Sequence, residues 1–567
     1  MPTFEIDGNS FLGDKLQIPA DFAQYLADKC SKSYLIFVDT MQQKHVVSYD
    51  AIRKEISQLG SWYRAIGSTK NRTILVTVLD INEALFEIKL KEQSENQSEV
   101  EGLYIGRRQA TVGARKYELG ERFIFPLSDL LTHIFICGIT GSGKTVLGKS
   151  IIEEAALNGI PSIIIDLKGD LSSMALVGSN PDDFIEWVDA KDDEVRKKKA
   201  HEYSKKHFSN LEQFSIDPQL VERFKNNVIV KIFTPRSKKG IPVGFSSPLG
   251  APPYPTKLLE ENPEDFNNLV ASLVNAFLDR LYHGKKKTAL ENERNFLYEI
   301  VHHCWRNNIS LQGEEGIRTL LEQVQTPPFD QIGGLPVGKY IDAEGRRSRL
   351  VNKINTLLSG PERMWFEGGE LDVEKLVLSE GGKTPINVIN ISDIDAFEDR
   401  NFVVAQVAYK INTWMRKEGG TYSPRLLFFI DEIGGGGGKQ AFFPSYPYES
   451  AAKWGLNYLI RQGRAFGVCC ILATQNPGDV DYKGLSNCHS WIIGKLATIL
   501  DRKKVMQGME LWGDNAEMVN RSIASADTGQ FVMKDPRGKI IHLKERWLIT
   551  YHRPLTLDDV ARLIKKV

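Results

Sequence analysis

From about residue 131 onward, short apolar runs alternate with longer amphipathic stretches. "IFIC" (134–137), a run within "SIIIDLKGDL" (162–171), "LLFFI" (426–430) and a run within "FGVCCILATQNPGD" (466–479) are apolar at successive positions rather than at alternate ones, as expected of strands buried on both faces. Further strands are predicted within "NNVIVKIFTPRS" (226–237) and "TPINVINISDI" (384–394). A helix is predicted from Thr145 to near Gly159, so the first two runs enclose a βαβ unit and imply a parallel sheet. In "EDFNNLVASLVNAFLDRLYHG" (264–284) and "LENERNFLYEIVHHCWRNN" (290–308) the apolar residues recur every three or four positions. Residues 256–380 therefore read as an α-helical insertion. Near the N-terminus, "SYLIFVDT" (33–40) and "RTILVTVL" (72–79) are strand-like, a helix is predicted near "YDAIRKEISQLGSWYRAIG" (49–67), and the polar "KEQSENQSEVEG" (91–102) reads as a linker.

Two glycine-rich segments compete for the role of a phosphate loop. "FFIDEIGGGGGKQ" (428–440) fails, because the G-x-x-x-x-G-K-[ST] spacing would need glycine in place of Ile433 and a hydroxyl in place of Gln440. "GITGSGKT" (138–145) fits, with a strand before it and a helix after it. The amides from Thr140 to Thr145, including Gly141, Ser142 and Gly143, are expected to wrap a β-phosphate. Lys144 would neutralise the β- and γ-phosphates, and the Thr145 hydroxyl would ligate Mg²⁺. Gly138 and Val146 bracket that nucleotide-binding set. The dinucleotide pattern G-x-G-x-x-G fails, because Val146 takes the place of the third glycine.

Asp431 and Glu432 then stand at the end of an apolar strand, where ligands of parallel sheets gather. Asp431 is expected to hold the Mg²⁺ through water, and Glu432 to orient and deprotonate the attacking water. Gln475, which with Thr474 ends the apolar strand within 466–479, is placed to hydrogen-bond a γ-phosphate or its water and to report nucleotide state. Asp166, Lys168 and Asp170 lie at the tip of the strand after the phosphate-loop helix, and Asp166 is added to the nucleotide-binding set.

Composition narrows the function classes. With 567 residues, 42% hydrophobic and 25% charged, the chain reads as soluble, with room for roughly three or four domains. No apolar run approaches the ~18 residues of a membrane span, and "MPTFEIDGNS" lacks a leader pattern. No membrane partner and a cytoplasmic location are expected. Seventy-two basic residues balance 72 acidic ones, which excludes a strongly basic nucleic-acid binder and leaves only local contact. Two basic clusters, 195–206 and 283–288, read as solvated helix faces or as phosphate-backbone contacts. The six cysteines have no C-x-x-C pair, and adjacent His302, His303 and Cys304 would diverge on a helix, so buried thiols are favoured over a metal site.

In "IGRRQATVG", "FIFPLSDLLTHIFICGITGSGKT", "IIIDLKGD", "LLFFIDEI", "LIRQGRAFGVCCILATQNPGDVD" and "DTGQFVMKDPRG" the chain resembles, from about residue 100 to its end, the HerA/FtsK superfamily of P-loop motor ATPases, and HerA-like proteins within it. The resemblance implies an α/β fold: a RecA-like P-loop NTPase core with a parallel sheet, preceded by a small β-barrel, in a homohexameric ring with ATP and Mg²⁺ between neighbours. It implies an arginine reaching across that interface: Arg464, with Arg461 as second candidate and Arg107 and Arg108 on weaker grounds. The expected order is an N-terminal α/β module (1–98), a small β-barrel segment (99–130), the first stretch of the ATPase core (131–255), the helical insertion (256–380), the second stretch of the core (381–535) and a C-terminal tail bracing a neighbouring subunit (536–567).

Three functions follow from that resemblance. One is a ring ATPase that translocates double-stranded DNA and feeds a partner nuclease. Another is an ATP-dependent scaffold for an effector, nuclease or sirtuin-like, in antiphage defence. The third is a motor for protein secretion, which the absence of a membrane segment disfavours.

Overall fold

The computed structural model describes residues 2–7, 11–12, 15–30, 32, 34–39, 44–51, 54–57, 73–90, 102–109, 119–190, 192–283, 285 and 287–565. The chain forms two compact units, one of Met1–Val100 with Gly420–Ser423, the other of Glu101–Gly419 with Pro424–Val567.

The first unit is built on a sheet in the order Thr3–Asp7, Thr73–Asp80, Leu85–Leu90, Tyr34–Val38, Lys44–Asp50, Glu55–Ser57, Lys15–Gln17, Phe11–Leu12. The helix Ala20–Lys29 turns Phe22, Ala23 and Leu26 inward, and Phe22 packs edge-on against Phe86. Both strand-like runs are strands. The helix expected near 49–67 is not what its described part forms: Lys44–Asp50 and Glu55–Ser57 pair antiparallel. The physical reason is the period-two pattern around Val47 and Ile56, which buries both side chains on one sheet face. The remainder of that segment, 52–53 and 58–67, and residues 91–101 of the expected linker lie outside the described residues.

The second unit holds a thirteen-stranded sheet. It runs parallel in the order Ser490–Ile493, Ile134–Cys137, Val468–Thr474, Leu426–Ile430, Ser162–Asp166, Thr384–Asn390, Val228–Pro235, Ile241–Gly244, Gly369–Glu370. Beyond Ser490–Ile493 it continues antiparallel through Gln530–Lys534, Ile540–Glu545, Gly102–Arg108 and Arg122–Pro126. The segment expected to form a small barrel thus contributes two strands that pair with each other and with this edge.

Alternation within each apolar run splits the core into two layers. Phe135, Ile163, Phe428 and Cys470 face one way, onto Phe402, Val403, Val407 and Ile411 of the helix Phe397–Glu418. Ile134, Ile164, Phe429 and Ile471 face the other, onto Leu147, Ile151 and Ala155 of the helix Lys144–Leu157. Both faces are covered, so no polar alternation is left along these strands.

The stretch expected to be helical is mostly so, with Pro263–Leu281, Glu291–Arg306, Gly313–Gln325 and Arg346–Asn355 as its longer helices. They share a core of Phe266, Leu273, Phe296, Ile300, Trp305 and Leu350, joined by Tyr409 of the helix Phe397–Glu418. A short hairpin, Gln331–Ile332 with Leu335–Pro336, interrupts them, and Gly369–Glu370 returns to the large sheet.

The helix Lys144–Leu157 is buried nearly all round, including Lys149, Glu153 and Glu154. Charges in that position need partners. Arg546, itself fully buried, meets Glu153 at 2.9 Å and Glu154 at 3.2 Å. Its Nε donates to Tyr104 O at 2.7 Å and its Nη1 to Trp547 O at 2.7 Å. Glu153 also accepts from the amides of Ile549 and Thr550 and from the Thr550 hydroxyl. Lys149 donates to Ser173 Oγ at 2.9 Å and Tyr551 O at 3.3 Å, and burial pulls its ammonium down to about 8. The C-terminal tail, expected to brace a neighbouring subunit, also supplies partners to the helix Lys144–Leu157 of its own chain.

Glu545 sits beside the start of that helix. A Cβ on Gly143 would come within 2.6 Å of its Oε1, and its Oε2 has no hydrogen-bond partner. Burial pushes this carboxyl up to about 8, opposed in part by Lys544.

Arg546→Ala removes the guanidinium that pairs with both buried carboxylates, and should lower stability by about 3–5 kcal/mol; urea unfolding checks this, and an unchanged midpoint would refute the pairing. Glu545 carries a pH signature as well. An unfolded glutamate ionises near 4.5, so up to about pH 8 the folded chain keeps a proton that the unfolded chain has released, and stability falls as pH rises through that window. Against Glu545→Gln, wild type should lose up to about 1.4 kcal/mol per pH unit between pH 5 and 8. Parallel profiles would mean that Glu545 is ionised in the fold.

Candidate nucleotide site

The strand Ile134–Cys137 ends level with Thr474, since Cys137 pairs with Thr474. Ile430 pairs with Leu472 on the other side of that strand. Three strand tips therefore converge: the loop after Cys137, the acidic pair after Ile430, and Gln475 after Thr474. The strand carrying Gln475 lies between the other two, which is why residues far apart in the chain meet at one end of the sheet.

The loop 138–143 closes tightly. Gly138 donates to Thr474 O at 3.3 Å, Ile139 to Lys495 O at 2.9 Å, and Ser142 back to Ile139 O at 3.1 Å. Gly141 and Gly143 take φ of 78° and 101°, a region that side-chain-bearing residues avoid. That curvature aims successive amides inward, and the first-turn amides of Lys144–Leu157 have no intrahelical acceptor. Ser142 is buried and its Oγ has no hydrogen-bond partner. Such a cradle suits an anion at a helix N-terminus.

The loop is also held from behind. Thr528 Oγ1 donates to Gly141 O at 2.9 Å and the Gly529 amide to Ser142 O at 2.9 Å. Turning these carbonyls onto 528–529 leaves the amide side free for a ligand. In the sequence "DTGQ" shows no chemistry of its own and enters only as part of the resemblance, and Glu545 carries no local pattern for this role.

Lys144 is buried, and its Nζ donates to the carbonyls of Gly138 at 2.6 Å and Ile139 at 3.1 Å. Desolvation lowers its pKa, while Asp431 opposes the shift. Thr145 Oγ1 reaches both oxygens of Asp431, at 3.3 and 3.1 Å, across 286 positions of sequence. A hydroxyl and a carboxylate held together beside an anion cradle form a hard oxygen donor set that suits Mg²⁺. Burial raises the Asp431 carboxyl, opposed first by Lys168 and then by Lys144.

Glu432 is gripped along one edge. Its Oε1 accepts from Thr474 Oγ1 at 2.7 Å, and both oxygens accept from the Gln475 amide at 3.2 Å. Desolvation raises its carboxyl above the ordinary glutamate range, and these bonds pull the other way. The Gln475 side chain accepts from Thr140 Oγ1 at 2.6 Å. One chain of contacts thus links the phosphate loop through Gln475 to Glu432.

Val146 lines a cavity of about 460 Å³ together with Tyr203, Phe214, Thr528, Lys544 and Trp547, among others. Its mixture of aromatic walls and a few polar groups suits a small organic ligand.

Of the other expected residues, Asp166 lies at the strand tip beside Asp431, and the arginines lie elsewhere. Asp166 uses both oxygens on its own loop: Oδ1 accepts from the amides of Lys168 and Gly169, Oδ2 from the amide and hydroxyl of Ser172. These four bonds commit the carboxylate to shaping its own loop. Arg464 and Arg461 are exposed and sit just before the strand Val468–Thr474, at the end away from the phosphate loop. Six strand residues, Val468 to Ala473, precede Thr474, roughly 20 Å, so neither arginine reaches the site of its own chain. Arg107 bonds Ser215 Oγ and Gly120 O, and Arg108 covers the Phe123 ring.

The basic run 195–206 lies on the helix Asp193–Gln213 with Lys197, Lys198 and Lys199 exposed. Lys285 of the second cluster is exposed, while Gly284 and Lys286 lie outside the described residues. Cys304 is buried in the core, and His302 packs edge-on against Phe266. Among the described residues, no group of His, Cys, Asp and Glu could hold a metal in the manner of a zinc site, and no helix is long and apolar enough to cross a membrane.

Residues 126–411, just over half the chain, match the family described as "Helicase HerA, central domain". Among curated proteins, the DNA double-strand break repair helicase HerA of Sulfurisphaera tokodaii is 27% identical over 205 residues, which span 35% of this chain and 37% of that protein. The probable helicase MJ1565 of Methanocaldococcus jannaschii is 32% identical over 92 residues, 16% and 17% of the two chains. The matched region thus spans well under half of either relative. Among solved structures, VirB4 of Thermoanaerobacter pseudethanolicus superposes with a TM-score of 0.47 at 12% identity, covering 78% of this chain and 96% of that one. The plasmid coupling protein TrwB in complex with ADP and Mg²⁺ gives a TM-score of 0.43 at 14% identity, covering 80% and 96%. With its phosphate loop, its acidic strand tip and this match across the intervening sequence, the chain belongs to the family of the HerA helicase central domain.

Proposed function

We propose that this chain hydrolyses ATP in a homohexameric ring and uses the energy to move double-stranded DNA. The observation that carries the hydrolytic step is the contact of Thr145 with Asp431 beside the Glu432–Gln475–Thr140 chain. The amides of 140–145 and Lys144 would hold the phosphates, Thr145 and Asp431 the Mg²⁺. The nucleoside would lie in the cavity next to Val146. Bound ATP–Mg²⁺ supplies the transferable phosphoryl group and neutralises some of its charge.

Glu432 is held by Thr474 and Gln475 at a fixed angle, which prepares it to orient a water and take its proton. A carboxyl raised by burial is the better base for that step. Gln475, tied to the phosphate loop through Thr140, would transmit the state of the loop to Glu432. Arg464 lies at the pole of the sheet opposite its own site, and there it would serve the γ-phosphate of a neighbouring chain. That arrangement supports a ring with shared sites.

DNA as the moved substrate is supported by the repair helicase of S. tokodaii, with which this chain shares a portion of its length. A nuclease or sirtuin-like effector as partner, and a cytoplasmic place of action, complete the proposal.

Glu432→Gln should keep ATP binding and slow hydrolysis by roughly 10²–10⁴-fold, while Lys144→Ala should lose binding or turnover; full turnover in either variant would refute the site. Arg464→Ala chains should be slow alone, yet regain turnover when mixed with Glu432→Gln chains, because one supplies the base and the other the arginine. A mixture no faster than its components would rule out sharing. Linear duplex DNA should stimulate ATP hydrolysis of the wild type; stimulation only by an added effector protein would mark a scaffold rather than a DNA motor.

A further inference from the structure

Lys168 has no place in the roles above, yet the fold brings it to the site. Ile165 pairs with Ile430, so Asp166 is level with Asp431, and Lys168 in the loop that follows lies near enough to act on the charge of Glu432. The acidic strand Leu426–Ile430 thus has the strand of Gln475 on one side and the strand of Lys168 on the other.

The loop bearing Lys168 is tightly held. Asp166 accepts from the amides of Lys168 at 3.3 Å, Gly169 at 2.8 Å and Ser172 at 2.7 Å. Gly169 takes φ of 83°, and a Cβ there would come within 2.3 Å of Leu555 O. The Leu555 amide in turn donates to Gly169 O at 3.0 Å. Asp166 from within and the C-terminal tail from behind therefore fix the backbone, and the side chain of Lys168 projects into solvent.

Its ammonium makes no hydrogen bond and no ion pair among the described residues. It nevertheless acts electrostatically on Asp431, Glu432 and Lys144. A cation near three carboxylates, Asp170 being the third, would ordinarily close a salt bridge with one of them, and Lys168 closes none among the described residues. Here Asp431 is engaged with Thr145, and Glu432 with Thr474 and Gln475, so the charge of Lys168 is left available to a further anion.

We infer that Lys168 is a second phosphate-directed cation, which approaches the terminal phosphate of a nucleoside triphosphate from the side of the acidic strand opposite to Lys144. The inference rests on the ATPase reading of the site and adds to it a residue that distinguishes triphosphate from diphosphate. Lys144, within the loop, serves both nucleotides; Lys168, beyond the acidic pair, serves only the one with a γ-phosphate. It also opposes the negative charge that grows on that group during transfer.

The test is equilibrium binding of ATP and of ADP, each with Mg²⁺, together with steady-state hydrolysis, in wild type, Lys168→Met and Lys168→Arg. Lys168→Met should weaken ATP about tenfold relative to ADP, leave ADP affinity unchanged, and lower kcat by roughly 10- to 100-fold. Lys168→Arg should restore some of both losses. Unchanged ATP-to-ADP preference, or equal weakening of both nucleotides, would overturn the inference even if wild type hydrolyses ATP normally. A wild-type chain that binds neither nucleotide would overturn the ATPase reading, and this inference with it.

Discussion

The helix that follows the phosphate loop is enclosed by protein on nearly every side while carrying Lys149, Glu153 and Glu154. Burying a charge is costly unless it is paired and hydrogen-bonded, and that requirement organises much of the second unit. Arg546 from the tail, the amides of Ile549 and Thr550, and the amide of Tyr104 from the strand Gly102–Arg108 converge to meet it. The edge strands and the tail are thereby tied to the element that presents the first-turn amides to a phosphate. The same tail reaches Gly169 through Leu555 and so bears on the loop of Lys168.

At the site itself, order comes from contacts among its own residues. Glu432 is oriented by Thr474 and Gln475, Gln475 by Thr140, and Asp431 by Thr145. Each of these bonds joins a different strand tip, so the spacing of the sheet determines the spacing of the chemical groups. Groups held in this way need little rearrangement when a charged ligand arrives, which is the physical basis of electrostatic preorganisation. The two arginines before the strand Val468–Thr474 obey the same geometry in reverse: the strand that brings Gln475 to one pole keeps Arg464 at the other.

The phosphate loop, the buried strands and the acidic strand tip are legible in the sequence because each is a local necessity. A tight anion cradle needs glycine at fixed spacing, and a strand covered on both faces has no place for polar alternation. The helix expected near residues 49–67 fails where Lys44–Asp50 and Glu55–Ser57 follow a period of two, with Val47 and Ile56 facing a core that no local pattern reveals. The strand-end position of Asp166 suggests a nucleotide contact. Its four hydrogen bonds to a single loop depend instead on how residues 167–172 fold back.

By itself, then, the sequence determined the anion-binding turn, the strands that frame it and the carboxylates at one strand tip, since those follow from short-range sterics and burial. Tertiary structure alone decided which distant groups meet them: Thr528 and Gly529 behind the loop, Glu545 against Gly143, Arg546 between two glutamates, and Lys168 on the far side of the acidic strand. These pairings arise from strand order and register across hundreds of residues, which local sequence does not encode even where, as at Lys168 and Thr528, it marks the segment.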